Sequence, residues 1–199
     1  MIAAAVLAAG ASRRLGRPKQ LVLFRGVPLV QRALEAARGS GAIALGVVLG
    51  AEAEAVGSVL PPDVDRVPND AWREGLASSV RAAVGWARSR SADALALLLA
   101  DQPLVGPAHV RRLVEAWHST RRTAASSHEG TLGAPAVFDA SFFDALAALR
   151  GDAGVARMLR AGGSVIGVPC PEAALDVDVP DDVVRLEIEA ARSEGRLTT

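Results

Sequence analysis

The chain has 199 residues, half of them hydrophobic and 22% charged, so it is long and apolar enough to bury a substantial core. Its 22 basic and 22 acidic side chains give a formal net charge of zero, which excludes a strong overall attraction to nucleic acid or to an anionic membrane surface. The single cysteine excludes an intrachain disulfide. Together with the three histidines it forms no zinc-ligand pattern.

Short apolar runs alternate along the chain with amphipathic stretches of helical length, the pattern of repeated βαβ units around a mostly parallel sheet. In chain order we predict strands at residues 2–7, 43–49, 64–67, 94–100, 123–127, 134–138 and 164–168. Helices are predicted at residues 29–37, 52–59, 75–88, 107–118, 141–149, 155–160 and 181–192. No Ser/Gly-rich linker or internal repeat interrupts this pattern, so we predict a single α/β domain over residues 1–199.

The apolar N-terminus, Met1 to Ala11, superficially resembles part of a secretory signal, but no basic side chain precedes it. No apolar run reaches the roughly 20 residues that are needed to span a bilayer. We therefore expect a cytoplasmic protein whose partners include neither membranes nor nucleic acid.

The first predicted strand leads into a loop that ends at Lys19, which is the only lysine among the 22 basic residues. The spacing of Gly10 and Gly16 matches neither the dinucleotide fingerprint nor the P-loop. Small side chains nevertheless let backbone N–H groups approach phosphates, and three arginines accompany the lysine. These features predict a cradle for a nucleoside triphosphate, although a lone lysine can also fall there by chance.

Asp101 directly follows the apolar run 94–100, at the carboxyl end of a predicted buried strand, where open α/β sheets bind ligands. Mg²⁺ is commonly held by one or two carboxylates together with substrate phosphates. The alternative is that Asp101 belongs to a turn that caps the strand. Asp176 and Asp178 are candidates for a second carboxylate, and their alternative role is to cap the last helix, as Asp181 and Asp182 also can.

Five motifs are spread over most of the chain. They are Leu7-Ala8-Ala9-Gly10-x-Ser12-x-Arg14-x-Gly16-x-x-Lys19, Asn69-x-x-Trp72-x-x-Gly75-x-x-x-Ser79, Leu99-Ala100-Asp101-Gln102-Pro103, Gly151-Asp152-x-Gly154-x-x-Arg157 and Asp176-Val177-Asp178-Val179-Pro180-Asp181-Asp182. Together they resemble the nucleotidyltransferases with a glycosyltransferase-A-like fold, and most of all the molybdenum cofactor cytidylyltransferases. The resemblance implies a three-layer α/β/α architecture with a Rossmann-like, mostly parallel sheet and a mixed C-terminal part.

The resemblance also implies roles for individual residues. Asp101 and Asp178 would hold Mg²⁺, or alternatively Mn²⁺, with Asp176 in reserve for Asp178; Lys19, Arg14 and Asp101 would be catalytic. Asp152 and Arg157 would lie near the acceptor, or else form a surface ion pair. Trp72 is assigned to the core, and Asn69 and Ser79 have helix capping as their alternative role. The implied nucleotide-binding residues are Leu7, Ala8, Ala9, Gly10, Ser12, Arg14, Gly16, Lys19, Asn69, Gly75 and Ser79.

The implied reaction transfers CMP from CTP to molybdopterin with release of pyrophosphate, in support of a client molybdenum hydroxylase. The attacking phosphate is already an anion, so no strong general base is required, which agrees with the scarcity of histidine. Family members with Ala-Ala-Gly at the loop start, here Ala8 to Gly10, tend to use CTP, whereas Ala-Gly-Gly relatives tend to use GTP. One departure concerns the acceptor: many such enzymes have histidine where this chain has Ala134.

Two alternatives stay open. The same chemistry can serve a sugar phosphate, a polyol phosphate or phospholactate, or use GTP. A protein of another class, a non-catalytic maturation factor that binds the cofactor for a molybdenum hydroxylase, has no need for the carboxylate pair of Asp101 and Asp178.

Overall fold

The computed structural model describes residues 1–151, residue 159 and residues 165–195, with residues 189–195 described as helical backbone. The predicted helix at 155–160 therefore lies almost wholly outside the described residues. The strands are β1 (Ile2–Leu7), β2 (Leu23–Phe24), β3 (Val27–Pro28), β4 (Ala44–Leu49), β5 (Asp65–Pro68), β6 (Ala94–Leu99), β7 (Ala124–His128), β8 (Thr131–Asp139) and β9 (Ile166–Pro169). The helices are α1 (Leu29–Arg38), α2 (Ala53–Ser58), α3 (Leu76–Ser89), α4 (Pro107–Thr120), α5 (Phe143–Ala147) and α6 (Pro180–Gly195).

The described strands form a seven-stranded sheet in the order β5-β4-β1-β6-β8-β7-β9, with β2 and β3 as a separate hairpin. Strand β1 pairs in parallel with β4 and β6, whereas β8 runs antiparallel to β6 and β7. Helices α1 and α4 cover one face of the sheet, and α3 and α5 cover the other. The predicted three-layer α/β/α fold, with a mostly parallel sheet and a mixed C-terminal part, is confirmed.

Strands β1 and β6 lie in the middle of the sheet because both of their faces are apolar. All six residues of β1 are buried, and the alternate residues of β6 contribute to the cores on opposite faces. Parallel strands bury both faces in this way and read as continuous apolar runs. Because β4, β1 and β6 are parallel, the segments that follow Leu7, Leu49 and Leu99 emerge at the same edge of the sheet.

The hairpin β2–β3 and helix α6 share a third, smaller core. Phe24 and Leu29 pack there with Val177 and Leu186. The Val177 N–H donates a hydrogen bond to the Asp101 carbonyl over 2.9 Å, so the segment before α6 returns to the carboxyl end of β6. The hairpin was not predicted, because each strand has only two residues. In the part of the chain that the structure describes, no helix is long and apolar enough to cross a membrane.

Candidate active site

A cavity of about 660 Å³ opens at the carboxyl edge of the sheet, beside the ends of β1 and β6. This volume lies in the range of small-molecule binding sites. Eleven of the residues implied by the motifs line it: Leu7, Ala8, Ala9, Gly10, Ser12, Arg14, Lys19, Gly75, Ser79, Asp101 and Asp178. The cavity wall also includes Gln20, Trp72 and Arg73, which the sequence did not single out as site residues.

One wall of the cavity is the loop from Ala8 to Lys19. The basic part of this loop runs from Ser12 to Lys19. A hydrogen bond joins its two ends, because the Lys19 N–H donates to Ser12 Oγ over 3.0 Å. The Ser12 backbone has a φ of 51°, a left-handed conformation that is uncommon outside glycine. The hydroxyl of Ser12 therefore serves the shape of the loop. Gly16, with a φ of 71°, is exposed and stands outside the cavity wall.

Lys19 lies between two carboxylates on the cavity floor. Its Nζ is 2.5 Å from Asp101 Oδ2 and 2.7 Å from Asp178 Oδ1. On the outer side, Arg14 Nη2 donates to Asp178 Oδ2 over 2.7 Å. The side chains of Lys19 and Asp101 are 18% and 14% exposed, so this pair is screened much less than a surface ion pair. Anions and cations thus alternate along a row of four contacting side chains, in the order Asp101, Lys19, Asp178 and Arg14.

These contacts set the charge states of the cluster. Burial lowers the pKa of Lys19, but Asp101 and Asp178 more than offset it, so that the pKa lies above its ordinary value. Burial raises the pKa of Asp178, yet the hydrogen bond and charge of Lys19, followed by Arg14, bring it below its ordinary value. At neutral pH, Lys19 is therefore cationic and Asp178 anionic.

The same carboxylates fit a divalent cation. Asp101 Oδ1 is buried and has no hydrogen-bond partner within the described ranges, so the carboxylate keeps a free acceptor. Among the described residues no group of three or more His, Cys, Asp or Glu side chains is placed to hold a metal. A pair of carboxylates completed by substrate phosphates is a site that Mg²⁺ or Mn²⁺ accepts.

Asp176 lies close to this cluster but outside the cavity wall. Desolvation of its carboxylate and then the charge on Asp101 raise the pKa of Asp176 to about 6. The residue as a whole is nevertheless exposed. The neighbouring carboxylates disfavour a further negative charge, which agrees with the raised pKa of Asp176. Of the two candidates for the second carboxylate, Asp178 is the one that contacts Lys19.

Asn69 does not reach the cavity wall. Its side chain is buried, and Nδ2 donates to Ser78 Oγ over 2.9 Å and to Ser79 Oγ over 3.1 Å. The amide therefore holds the first turn of α3. Of the two serines that it contacts, Ser79 lines the cavity and Ser78 does not. Gly75 precedes this helix with a φ of 101°, which strongly favours glycine.

The opposite wall contains Trp72, which the sequence assigned to the core, and Arg73, whose guanidinium lies 4.3 Å from the ring centroid of Trp72. Gly50 supports this wall from behind. A Cβ atom there would lie 2.7 Å from the Ala9 carbonyl oxygen and 2.8 Å from Trp72 Cβ. The only sequence signal for Gly50 is its place at the end of a predicted strand. Asp152 and Arg157 lie outside the described residues.

The fold and the motifs agree with a known family. Residues 4–165 match the MobA-like NTP transferase domain. The chain belongs to this family. It is therefore a nucleotidyltransferase, an enzyme class that agrees with a triphosphate-sized cavity beside a basic loop.

Three known proteins are similar to the chain over most of its length. The nicotine blue oxidoreductase of Paenarthrobacter nicotinovorans is 33% identical, over 91% of this chain and 94% of its own length. The molybdenum cofactor guanylyltransferase of Rhodobacter capsulatus is 31% identical, with 94% and 95% covered. Rv0371c from Mycobacterium tuberculosis, solved in complex with manganese, is 32% identical, with 93% and 97% covered and a TM-score of 0.75.

Proposed function

We propose that this NTP transferase moves CMP from CTP to molybdopterin and releases pyrophosphate. The observation that carries the proposal is the Lys19 ammonium held between Asp101 and Asp178 on the floor of the cavity. Such a cluster provides a cation for phosphate oxygens and two carboxylates for a metal. These are the groups that nucleotidyl transfer requires.

The triphosphate would lie along the loop from Ala8 to Lys19. Backbone N–H groups of the loop, Arg14 and Lys19 would neutralise its charge and align the α-phosphate. An oxygen of the acceptor phosphate attacks the α-phosphorus, and the bond from that phosphorus to the oxygen bridging to the β-phosphate breaks. The electron pair leaves with pyrophosphate. Lys19 and Arg14 stabilise the charge that spreads over these oxygens.

No side chain has to remove a proton, because the acceptor phosphate is already an anion. None of the three histidines lines the cavity within the described structure. Burial, followed by the charge of Arg112, lowers the pKa of His109 to about 4, and its Nε2 pairs with Ser126 Oγ over 2.8 Å. This histidine is neutral and structural.

Asp101 and Asp178 would hold Mg²⁺, or alternatively Mn²⁺. When bound, the metal supplies charge neutralisation and a fixed point for the phosphate oxygens. Asp101 Oδ1, which has no hydrogen-bond partner among the described residues, supports this assignment, as does the manganese complex of the M. tuberculosis relative. The Lys19 ammonium would then exchange one of its carboxylate contacts for phosphate.

The choice of CTP rests on Ala9. Ala9 is a residue of the cavity wall, lies beside Gly50 and is almost completely buried, and its methyl group would narrow the space for the base. GTP is the alternative, which the name of the R. capsulatus relative supports. Equal turnover with CTP and GTP would refute this part of the proposal.

The acceptor assignment rests on the family and on the molybdenum cofactor relative. Asp152 and Arg157 are proposed to contact the acceptor. The alternative acceptors are a sugar phosphate, a polyol phosphate and phospholactate. If molybdopterin is the acceptor, the product would pass to a client molybdenum hydroxylase in the cytoplasm.

The deciding experiment incubates the purified protein with Mg²⁺, CTP or GTP, and a panel of acceptors that includes molybdopterin. We expect pyrophosphate release that requires both CTP and molybdopterin, together with a dinucleotide product seen by mass spectrometry. The control is Asp101→Asn, which should release none. If no triphosphate is turned over but molybdopterin binds, the protein is the non-catalytic maturation factor instead.

A further inference from the structure

The carbonyl groups at the start of the cavity loop are all engaged by the protein. The oxygen of Ala9 accepts from the Ala51 N–H over 3.1 Å. Those of Ala8 and Gly10 accept from one group, Gln20 Nε2, over 2.7 and 2.8 Å. A single side chain thus satisfies two of three successive carbonyls.

Gln20 is well suited to hold these carbonyls. It is 1% exposed, and it lies in the short helical turn Lys19–Leu21, directly after the residue that reaches the carboxylates. The two donors of its amide nitrogen match the two carbonyl oxygens. Its Oε1 lies 3.4 Å from Ser12 Oγ, so the carboxamide joins both halves of the loop.

The N–H groups of the same loop are arranged differently. Within the described residues, no backbone N–H from Ala9 to Arg14 donates to another group of the protein. Among the described residues, this part of the cavity wall therefore keeps unpaired N–H donors, while its carbonyls at residues 8–10 are occupied. Successive free N–H groups form a concave site for anions.

We propose that Gln20 is a positioning residue that fixes the polarity of this loop. By holding the carbonyls of Ala8 and Gly10, it keeps their negative ends from the triphosphate and leaves the N–H groups for the phosphate oxygens. This inference rests on the proposed function, because it assumes that a triphosphate binds along the loop. Gln20 acts through the backbone and needs no contact with the nucleotide.

The test compares Gln20→Met with the wild-type protein. Methionine has a similar length and no donor, so two buried carbonyls lose their partner. We expect the Kd for CTP, and for inorganic tripolyphosphate as a probe without base or ribose, to rise about tenfold or more in calorimetric titrations. In turnover assays, KM for the triphosphate should rise while KM for the acceptor stays unchanged.

Gln31→Met is the matched control. Gln31 Nε2 also donates to a backbone carbonyl, that of Val59 over 2.7 Å, but it lies in α1 and outside the cavity wall. This variant should bind CTP and tripolyphosphate as the wild type does. An equal loss of affinity in both variants would mean that Gln20 has only a general structural role.

Gln20→Glu provides a second readout, which also serves if Gln20→Met does not fold. An ionised carboxylate repels both carbonyls, whereas a protonated one can donate to a single carbonyl. The ratio of the variant Kd to the wild-type Kd should therefore fall as the pH is lowered from 8 to 6. A constant ratio, or a Gln20→Met protein with wild-type affinity, overturns the role of Gln20. If the wild type binds no triphosphate, the proposed function fails as well.

Discussion

Lys19 and Asp101 are 82 positions apart in the chain, yet Lys19 Nζ lies 2.5 Å from Asp101 Oδ2. Lys19 closes the loop after β1, and Asp101 lies two residues after the end of β6. Because these strands are parallel neighbours, their carboxyl ends bring the two side chains to one point. The pair joins the loop that would hold phosphates to the carboxylate that would hold a metal.

Removing the ammonium should damage catalysis more than folding. We expect Lys19→Met to lower kcat/KM by about 10²- to 10³-fold, because a cation directed at developing phosphate charge is lost. Lys19→Arg should recover only part of this loss, since a planar guanidinium does not fit between two carboxylates as a compact ammonium does. The measurement is steady-state pyrophosphate release.

The control for Lys19→Met is Arg38→Met, which removes a cation from an exposed ion pair with Asp63. Its activity should match that of the wild type. Full activity in Lys19→Met would exclude Lys19 from the proposed chemistry.

Lys19 and a divalent metal should compete for the same carboxylates. In the absence of nucleotide, Mn²⁺ should bind Lys19→Met about tenfold more tightly than wild type, because the ammonium no longer occupies the point between Asp101 and Asp178. The loss of the free Mn²⁺ signal in electron paramagnetic resonance measures this binding without turnover. Asp101→Asn should abolish it, and Asp63→Asn should leave it unchanged.

His109 should make stability depend on pH. Its pKa is about 4 in the folded protein against an ordinary 6.5, so the unfolded chain binds the proton more readily. Stability is therefore fully present above pH 6.5 and is lost as the pH falls toward 4, by about 3 kcal/mol. His109→Gln should flatten this part of the curve in urea unfolding at a series of pH values.

The control for His109→Gln is His118→Gln, an exposed position on the same helix. Its stability should follow the pH as the wild type does. An unchanged pH dependence in His109→Gln would assign the loss of stability to other groups.

Two glycine substitutions should have opposite effects. Gly50→Ala would place a Cβ 2.7 Å from the Ala9 carbonyl oxygen and so displace the cavity wall, which should raise KM for the triphosphate and lower Tm. Gly85→Ala meets nothing within 4 Å in the middle of α3, and it should stabilise the protein by about 0.5–1 kcal/mol with normal kinetics. Thermal unfolding and steady-state kinetics separate the two outcomes. Normal KM in Gly50→Ala would show that the loop tolerates the displacement.

Much of the fold followed from local patterns. The six residues of β1 and the run in β6 are continuous apolar segments, and their length and composition are sufficient to identify buried strands. The hairpin of β2 and β3 was missed, since two-residue strands have no periodicity. The single-domain organisation over residues 1–199 stays a prediction.

The site was predicted less completely than the fold. Lys19 stands out as the only lysine and closes the loop after the first strand, and Asp101 directly follows the apolar run 94–100. Gln20 and Trp72 carry no such signal, because the sequence does not show whether a buried glutamine or a tryptophan lies in the core or beside a binding site. The resemblance implies Asn69 beside the nucleotide; in the structure its amide donates to Ser78 and Ser79. The roles of all these residues in binding stay predictions.

The sequence by itself determined the order along the chain of the seven strands of the main sheet and of helices α1 to α6, the basic loop that ends at Lys19 and the position of Asp101 after a buried strand. These are local properties, which hydrophobic spacing and a few small residues are enough to specify. The tertiary structure decided which distant groups meet. Packing of α6 against the β2–β3 hairpin brings Asp178 to Lys19. The buried Gln20 amide donates to the carbonyls of Ala8 and Gly10. Such contacts depend on sheet order and on the shape of the core, and no single segment encodes them.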